Sequence, residues 1–536
     1  MRPHNFPSLI RCLCLCLGMA WLLSAMPARA LTADDALALV EGGVADRIDA
    51  LNRLAGAPDE RAAALIRAMA AREVQVHEGR VFISGADGVR DAVTGEPAEL
   101  PEGAQDVMVN NRMRGALQGA LAALDLIGAP PARQREAAAT LQQRAFDEPD
   151  IDMLPLIERA LAGELDEAAR ASLLMAQAAV LLDSEDEARR LEAAVKLGGA
   201  RQPVVRPLLL QQIERESSEE VKAALRQSLA ALERSLQRNA ILAQVFSGVS
   251  LGSILLLAAL GLAITYGLMG VINMAHGELI MIGAYATWLV QVAFKQWLPG
   301  WFDWYLVAAM PVAFMSSALV GAAMERSVIR FLYGRPLETL LATWGLSLVL
   351  MQGVRSLFGA QNVGVENPAW MSGSVTLLGN LTLPWNRLFI IAFAGLVLLG
   401  VAMLISRTRL GLFVRGVTQN RPIAACMGVN TARIDTYAFA LGSGIAGLAG
   451  CALSQIGNVG PDLGQSYIVD SFMVVVLGGV GQIAGTVYAA LGLGVLNKFI
   501  EGWAGAVLAK IAVLVFIIVF IQKRPQGIFA FKGREA

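Results

Sequence analysis

The sequence predicts an all-α protein: a polytopic helical membrane domain of about eight spans with broken or re-entrant helices, preceded by a mainly helical exported domain that carries a small β-hairpin. Three observations lead there. Of the 536 residues, 55% are apolar and only 17% charged, against roughly 45–50% and 25% in soluble proteins. The long apolar runs begin only near Ile241. The chain opens with a short apolar run flanked by arginine and closed by small residues. A net charge of −1, from 44 basic and 45 acidic residues, excludes a strongly basic nucleic-acid binder. Five cysteines are too few for a disulfide scaffold.

Residues 1–30 read as a secretory signal: Arg2 and Arg11, an apolar run from Cys12 to Leu23, and the triplet Ala28-Arg29-Ala30 with cleavage after Ala30. The run is shorter than the roughly 20 residues that span a bilayer, with an uncleaved anchor as the alternative. Three of the cysteines, Cys12, Cys14 and Cys16, fall within it, so residues 31–237 are cysteine-free and depend on packing. There, apolar residues recur at helical spacing, as in Ala169, Leu173, Ala176, Val180 and in Val221, Leu225, Leu229, Leu232. Acidic openings at Asp183-Ser184-Glu185 and Ser217-Ser218-Glu219-Glu220 give a pattern resembling the stacked helix pairs of HEAT repeats, without a strict period. Between Val74 and Glu96, alternating Val76, Val81 and Ile83 with Gly79, Gly85 and Gly88 predict the hairpin. His77 lacks neighbouring histidine or cysteine and reads as a surface imidazole rather than a metal ligand.

The membrane domain, 241–536, is divided into spans near 242–270, 277–295, 304–324, 338–358, 388–406 and 435–457, a glycine-interrupted stretch at 467–496, and a last span at 504–522. An exported first half sends the first span inward. Basic charge agrees: Arg326, Arg330 and Arg335, then Arg407, Arg409, Arg415, Arg421 and Arg433, then Lys523, Arg524, Lys532 and Arg534 all fall on the cytoplasmic side. The outer links at 359–387 and 458–466 carry almost none. The 467–496 stretch must then cross twice or re-enter, broken by Gly478, Gly479, Gly481 and Gly485.

Val271-Ile272-Asn273-Met274-Ala275-His276-Gly277-Glu278 holds no Lys or Arg and is tightly flanked by apolar residues. It predicts a buried break, which membranes tolerate only beside protein or a water-filled cavity, and so marks a translocation path. The competing reading is that Asn273 and Glu278 cap helices. Gly442-Ser443-Gly444-Ile445-Ala446-Gly447 spells GxGxxG but lies within an apolar span, where small residues serve close helix packing rather than dinucleotide binding. None of the lysines completes GK[ST], and none of the three histidines sits in HExxH. No catalytic residue, metal or cofactor is expected, and any ATP hydrolysis falls to another polypeptide. The long basic link 407–433, with a short helical pattern after Asn420, is then the natural docking surface for it; the alternative, topogenic charge alone, explains the arginines but not the length.

Several stretches, in order over roughly 245–530, resemble the membrane permeases of ATP-driven branched-chain amino acid and amide importers, the LivH-like family. They are Ala259-Leu260-Gly261-Leu262 with Tyr266-Gly267, the 271–278 segment, Arg407-Thr408-Arg409-Leu410-Gly411, Val476-Leu477-Gly478-Gly479-Val480-Gly481 and Arg524-Pro525-Gln526-Gly527. The exported extension resembles the form of that family assigned to urea import. The resemblance implies an inner-membrane protein with its N-terminal domain in the periplasm. It also implies a second related permease, two ATPase subunits and a periplasmic solute-binding protein as partners, besides the lipid bilayer. Apart from the resemblance, Asn273, His276, Glu278, Asp470 and Ser471 are the expected substrate pathway, because Asn273, Glu278 and Asp470 offer hydrogen bonds to replace those a small polar solute loses on leaving water. To ATPase coupling the resemblance assigns Arg409, Arg415, Gln419, Asn420, Arg421, Pro422, Met427 and Gly428. Two departures stand out: Pro422 where many relatives have Glu, and Val469-Asp470-Ser471-Phe472 where amino-acid permeases commonly show Leu-Lys-Ala-Phe. A branched-chain amino acid or short amide is the alternative cargo, and a membrane-anchored receptor the alternative class.

Overall fold

The computed structural model describes residues 31–524 and 527–529, apart from 57–58, 86–87, 127–129, 148, 271 and 378–380. The leader expected at 1–30 and the terminal Lys532 and Arg534 lie outside the described residues. The chain divides into two compact units, Met1–Leu236 and Gln237–Ala536.

The first unit opens with helices α1 (Ala33–Val40), α2 (Val44–Gly56) and α3 (Glu60–Ala71). Thr32 caps α1 by accepting from the Asp35 amide. Strands β1 (Val74–His77), β2 (Arg80–Gly85), β3 (Gly88–Asp91) and β4 (Gln105–Asp106) follow. They form one antiparallel sheet in the order β3-β2-β1-β4, which enlarges the expected hairpin to four strands. Glu78 and Gly79, both at positive φ, make the two-residue turn that sets Val76 opposite Val81. His77 is half-buried on β1. Six helices complete the run: α4 (Asn111–Leu126), α5 (Pro131–Asp147), α6 (Leu154–Ala162), α7 (Glu167–Leu181), α8 (Glu187–Leu197) and α9 (Val205–Arg215). Asp166 and Asp186 cap α7 and α8. Their apolar stripes, Leu173, Ala176 and Val180 among them, are fully buried in a core shared from Leu31 to Leu232.

Helix α10 (Glu219–Met269) begins in the first unit and ends in the second, so the boundary expected near 238–241 falls inside a helix. The second unit continues with α11 (His276–Trp297), α12 (Tyr305–Ser327), α13 (Pro336–Phe358), the hairpin β5 (Ser374–Leu377) and β6 (Leu381–Pro384), and α14 (Trp385–Arg407). Then come α15 (Arg409–Gln419), α16 (Arg421–Cys426), α17 (Thr431–Ser454), α18 (Leu463–Gly478), α19 (Ile483–Ala504) and α20 (Ala506–Lys523). Eight helices among the described residues are long and apolar enough to cross a membrane; α18, with 16 residues, is shorter. The glycine-interrupted stretch is α18 and α19, with Gly479 and Gly481 at positive φ in the break between them. Helix α17 is central: 78% of its apolar window is buried, against 17% for α13 and α20. Its glycines make that possible. A Cβ on Gly447 would collide with the Ala313 carbonyl and Ser317 on α12, and one on Gly283 of α11 with the Gly447 backbone. The GxGxxG spelling is therefore a packing surface where backbones touch.

Candidate functional site

The chain doubles back after α10. Leu268, near the helix end, packs with Val414, Val417, Ala424 and Val429 of the 407–433 link. Ten residues earlier, about 15 Å back along a helix, the Ala258 carbonyl lies 3.0 Å from His276 Nε2. Gly270 at positive φ and the non-helical Ile272–Ala275 make the return. Helix α11 therefore starts inside the bundle rather than at its end. So does α18, because the Gly464 backbone lies against that of Gly277, with no room for a Cβ on either. Two helix N-termini thus face one another in the interior, and neither carries a side-chain cap hydrogen bond. Each presents the positive end of a helix dipole.

The side chains around this junction are fully buried and incompletely bonded. Asn273 Oδ1 accepts from the Ala275 amide at 3.0 Å, within the non-helical stretch ahead of α11, yet its Nδ2 has no partner. Glu278 Oε1 accepts from Ser347 Oγ at 2.8 Å, while Oε2 has none. A carbonyl only accepts, so His276 Nε2 must donate to Ala258; in the neutral ring Nδ1 is then an unpartnered acceptor. Thr343 Oγ1 accepts from the Met274 amide at 3.2 Å. The break therefore presents one spare amide donor and two spare acceptors, a set able to replace the water shell of a polar solute.

Thr343 and Ser347 were not singled out in the sequence. With Thr339 they place buried hydroxyls at i, i+4 and i+8 on one face of α13, and that periodicity is the signal that could have revealed them. Asp470 and Ser471 are not brought to these groups. Ser471 Oγ donates to the Tyr467 carbonyl one turn back, and the Asp470 carboxylate faces Lys510 of α20 at 3.8 Å.

The 407–433 link holds more helix than its sequence pattern indicated. Thr408 caps α15, whose Leu410, Val414 and Val417 face inward. Arg415 donates to the Gly411 and Ile405 carbonyls. Asn420 caps α16 by accepting from the Ile423 amide, and Pro422 sits in the first turn, where it removes no helical bond. Arg409, Gln419 and Met427 are exposed, and Gly428 at positive φ turns the chain. A cavity of about 840 Å³ separates α15 from the end of α10 and the α18–α19 break, lined by Arg415, Thr418, Gln419, Gly267 and Gln482 among others. Among the described residues no group of His, Cys, Asp and Glu could hold a metal.

Residues 244–522 match the family described as "Branched-chain amino acid transport system / permease component". The chain belongs to that family. Relatives include the high-affinity branched-chain amino acid transport system permease protein LivH of Salmonella typhimurium and its namesake in Escherichia coli strain K12. Each is 29% identical over 297 residues, covering 54% of this chain and 94% of the relative. The corresponding BraD protein of Pseudomonas aeruginosa is 27% identical over 293 residues, covering 54% and 95%. No solved structure matches. The chain is thus a multi-pass membrane permease component, and such components are not enzymes.

Proposed function

We propose that the chain is the permease of an ATP-driven importer that moves urea from periplasm to cytoplasm. The observation that carries this reading beyond the family is the N-terminal unit. Amino-acid permeases matched along nearly their whole length leave the first 240 or so residues of this chain without a counterpart. The spare groups at the break suit the same cargo. Urea has one carbonyl to accept from Asn273 Nδ2 and four N–H groups to donate to Glu278 Oε2 and His276 Nδ1. Moving it through hydrocarbon without such partners costs several kcal/mol.

Residues 1–30 act as the leader, 31–237 form a periplasmic domain and 241–536 the permease. A second related permease, two ATPase subunits and a periplasmic binding protein complete the assembly. The link from Arg409 to Gly428 docks the ATPase, and its exposed Leu412, Ile423 and Met427 suit a protein contact. The cavity beside Arg415 and Gln419 is the cytoplasmic vestibule.

A branched-chain amino acid is the second reading, and the facing helix N-termini favour it. The lack of Lys or Arg in the break argues for a neutral solute, but two positive helix ends supply a carboxylate site without a basic side chain, with Glu278 left for the ammonium group. Uptake of labelled urea and of labelled leucine by cells with and without the chain decides. Urea uptake that needs the chain and resists excess leucine supports the proposal; leucine uptake alone overturns it. Copurification of ATPase subunits tests the assembly.

A further inference from the structure

The first residue of α16, Arg421, reaches out of the link. Its guanidinium pairs with the carboxylate of Asp435, the fifth residue of α17, and its carbon centre lies 4.6 Å above the Tyr333 ring, which belongs to the cytoplasmic segment after α12. Asp435 is 1% exposed, whereas Arg421 is 39% exposed. Beside them Glu325, near the end of α12 and likewise 1% exposed, accepts from Thr436 Oγ1 at 2.6 Å. Three separate stretches, α12 with its following segment, α16 and α17, thus meet at one partly buried cation and two buried carboxylates. Arg330 adds positive charge to the surroundings of Asp435.

We propose that Arg421 is the latch that fastens the link's short helix to the membrane spans, a positioning residue through which a push on α16 reaches α12 and α17. This rests on the reading that the link docks an ATPase. Without Arg421, Asp435 loses its paired cation and is left a buried carboxylate close to that of Glu325. That state is relieved only by admitting water or separating the segments. Arginine suits the task because one planar group both pairs and stacks, which lysine cannot do. The three segments carry the position of α16 into the central helix, whose glycine contacts leave it little freedom to move alone.

Cys426, the last residue of α16, is exposed, whereas Cys451 in α17 is buried, so the chain carries its own reporter and its own control. In membranes holding the whole importer, N-ethylmaleimide labelling of each cysteine is read by peptide mass spectrometry, and solute moved per ATP hydrolysed is measured in parallel. Arg421→Ala and Asp435→Asn should each raise the Cys426 labelling rate at least threefold, leave Cys451 protected, and lower solute moved per ATP at least fivefold. Arg421→Lys should recover part of the coupling. Tyr333→Phe should behave as wild type and Tyr333→Ala as a weaker Arg421→Ala. Unchanged Cys426 labelling and unchanged coupling in Arg421→Ala overturn the latch. So does a loss of coupling in which Cys451 becomes labelled in every variant, because the effect is then general unfolding. If the wild-type importer moves solute without ATP, the importer reading fails, while the labelling comparison still judges the latch.

Discussion

The two units treat buried carboxylates in opposite ways. In the first, Glu216 is buried but saturated: Arg190 forks onto both its oxygens at 3.0 and 3.1 Å, and the Ser217 and Ser218 amides donate to it as well. Asp91 is served in the same manner by Arg80 and the Val93 and Thr94 amides. In the second unit, Glu278, Glu325 and Asp435 each keep one buried oxygen with no partner, and among the described residues they are the only buried carboxylates that do. Helix contacts differ too. Leucine and alanine side chains fill the first core, while in the second glycine backbones meet directly at Gly277–Gly464, Gly283–Gly447 and Gly478–Gly485. A saturated polar group stabilises a scaffold, whereas an unsaturated one in a membrane protein leaves capacity for a passing solute.

The contrast breaks most sharply at the glycines. Gly447→Leu should abolish the folded membrane unit, because the new side chain runs into the Ala313 carbonyl and Ser317 of α12; the readout is loss of a monodisperse peak in detergent. Next in size, Arg190→Ala should destabilise the first unit by about 3–5 kcal/mol, the usual result of stranding one member of a buried pair, seen as a lowered melting temperature.

Removing an unsaturated group should do the reverse, sparing stability and striking transport. Glu278→Ala should cut uptake about 10-fold or more and Asn273→Ala several-fold, in line with the roughly 1.5–3 kcal/mol of a hydrogen bond to a charged group and about 0.5–1.5 kcal/mol of a neutral one, at unchanged membrane levels. Normal uptake in both would remove the break from the pathway. Ser347→Ala frees one oxygen of Glu278 and should change uptake only a few-fold. Asp470→Asn should change it less than two-fold, since its neighbour is Lys510 rather than the break.

A pH series sharpens the same comparison. Burial alone would raise the Glu216 carboxyl, but Arg190 and the two amides outweigh it and hold it below the usual carboxylate range. A lowered folded value means that the stabilisation is present above the unfolded value near pH 4.3 and is lost as pH falls through the folded one. The melting temperature of wild type should therefore fall towards that of Glu216→Gln below about pH 4, with the difference largest at neutral pH.

Much of this was legible in the sequence, for reasons that differ by element. The spans follow from apolar length, and the 271–278 break from polar residues without topogenic charge. The GxGxxG stretch follows from its setting in an apolar run. What escaped depends on partners distant in the chain. Thr343 and Ser347 read as ordinary residues of an apolar span until α11 is laid against α13. Strand β4 has two exposed residues and exists only because β1 pairs with it. Helix α15 was hidden by its arginines, although Leu410, Val414 and Val417 mark its buried face. The role of Asp435 needed Arg421 beside it.

The meeting of Gly277 with Gly464 also constrains how the protein is made. A ribosome delivers the first of these residues long before the second, so the early spans enter the lipid with an open flank where α18 will later lie. Until that late hairpin arrives, His276 and Glu278 have to be sheltered by lipid headgroups, trapped water or the insertion machinery. Chains truncated before residue 463 should therefore be caught by membrane quality-control proteases even though most of their hydrophobic segments are already in place.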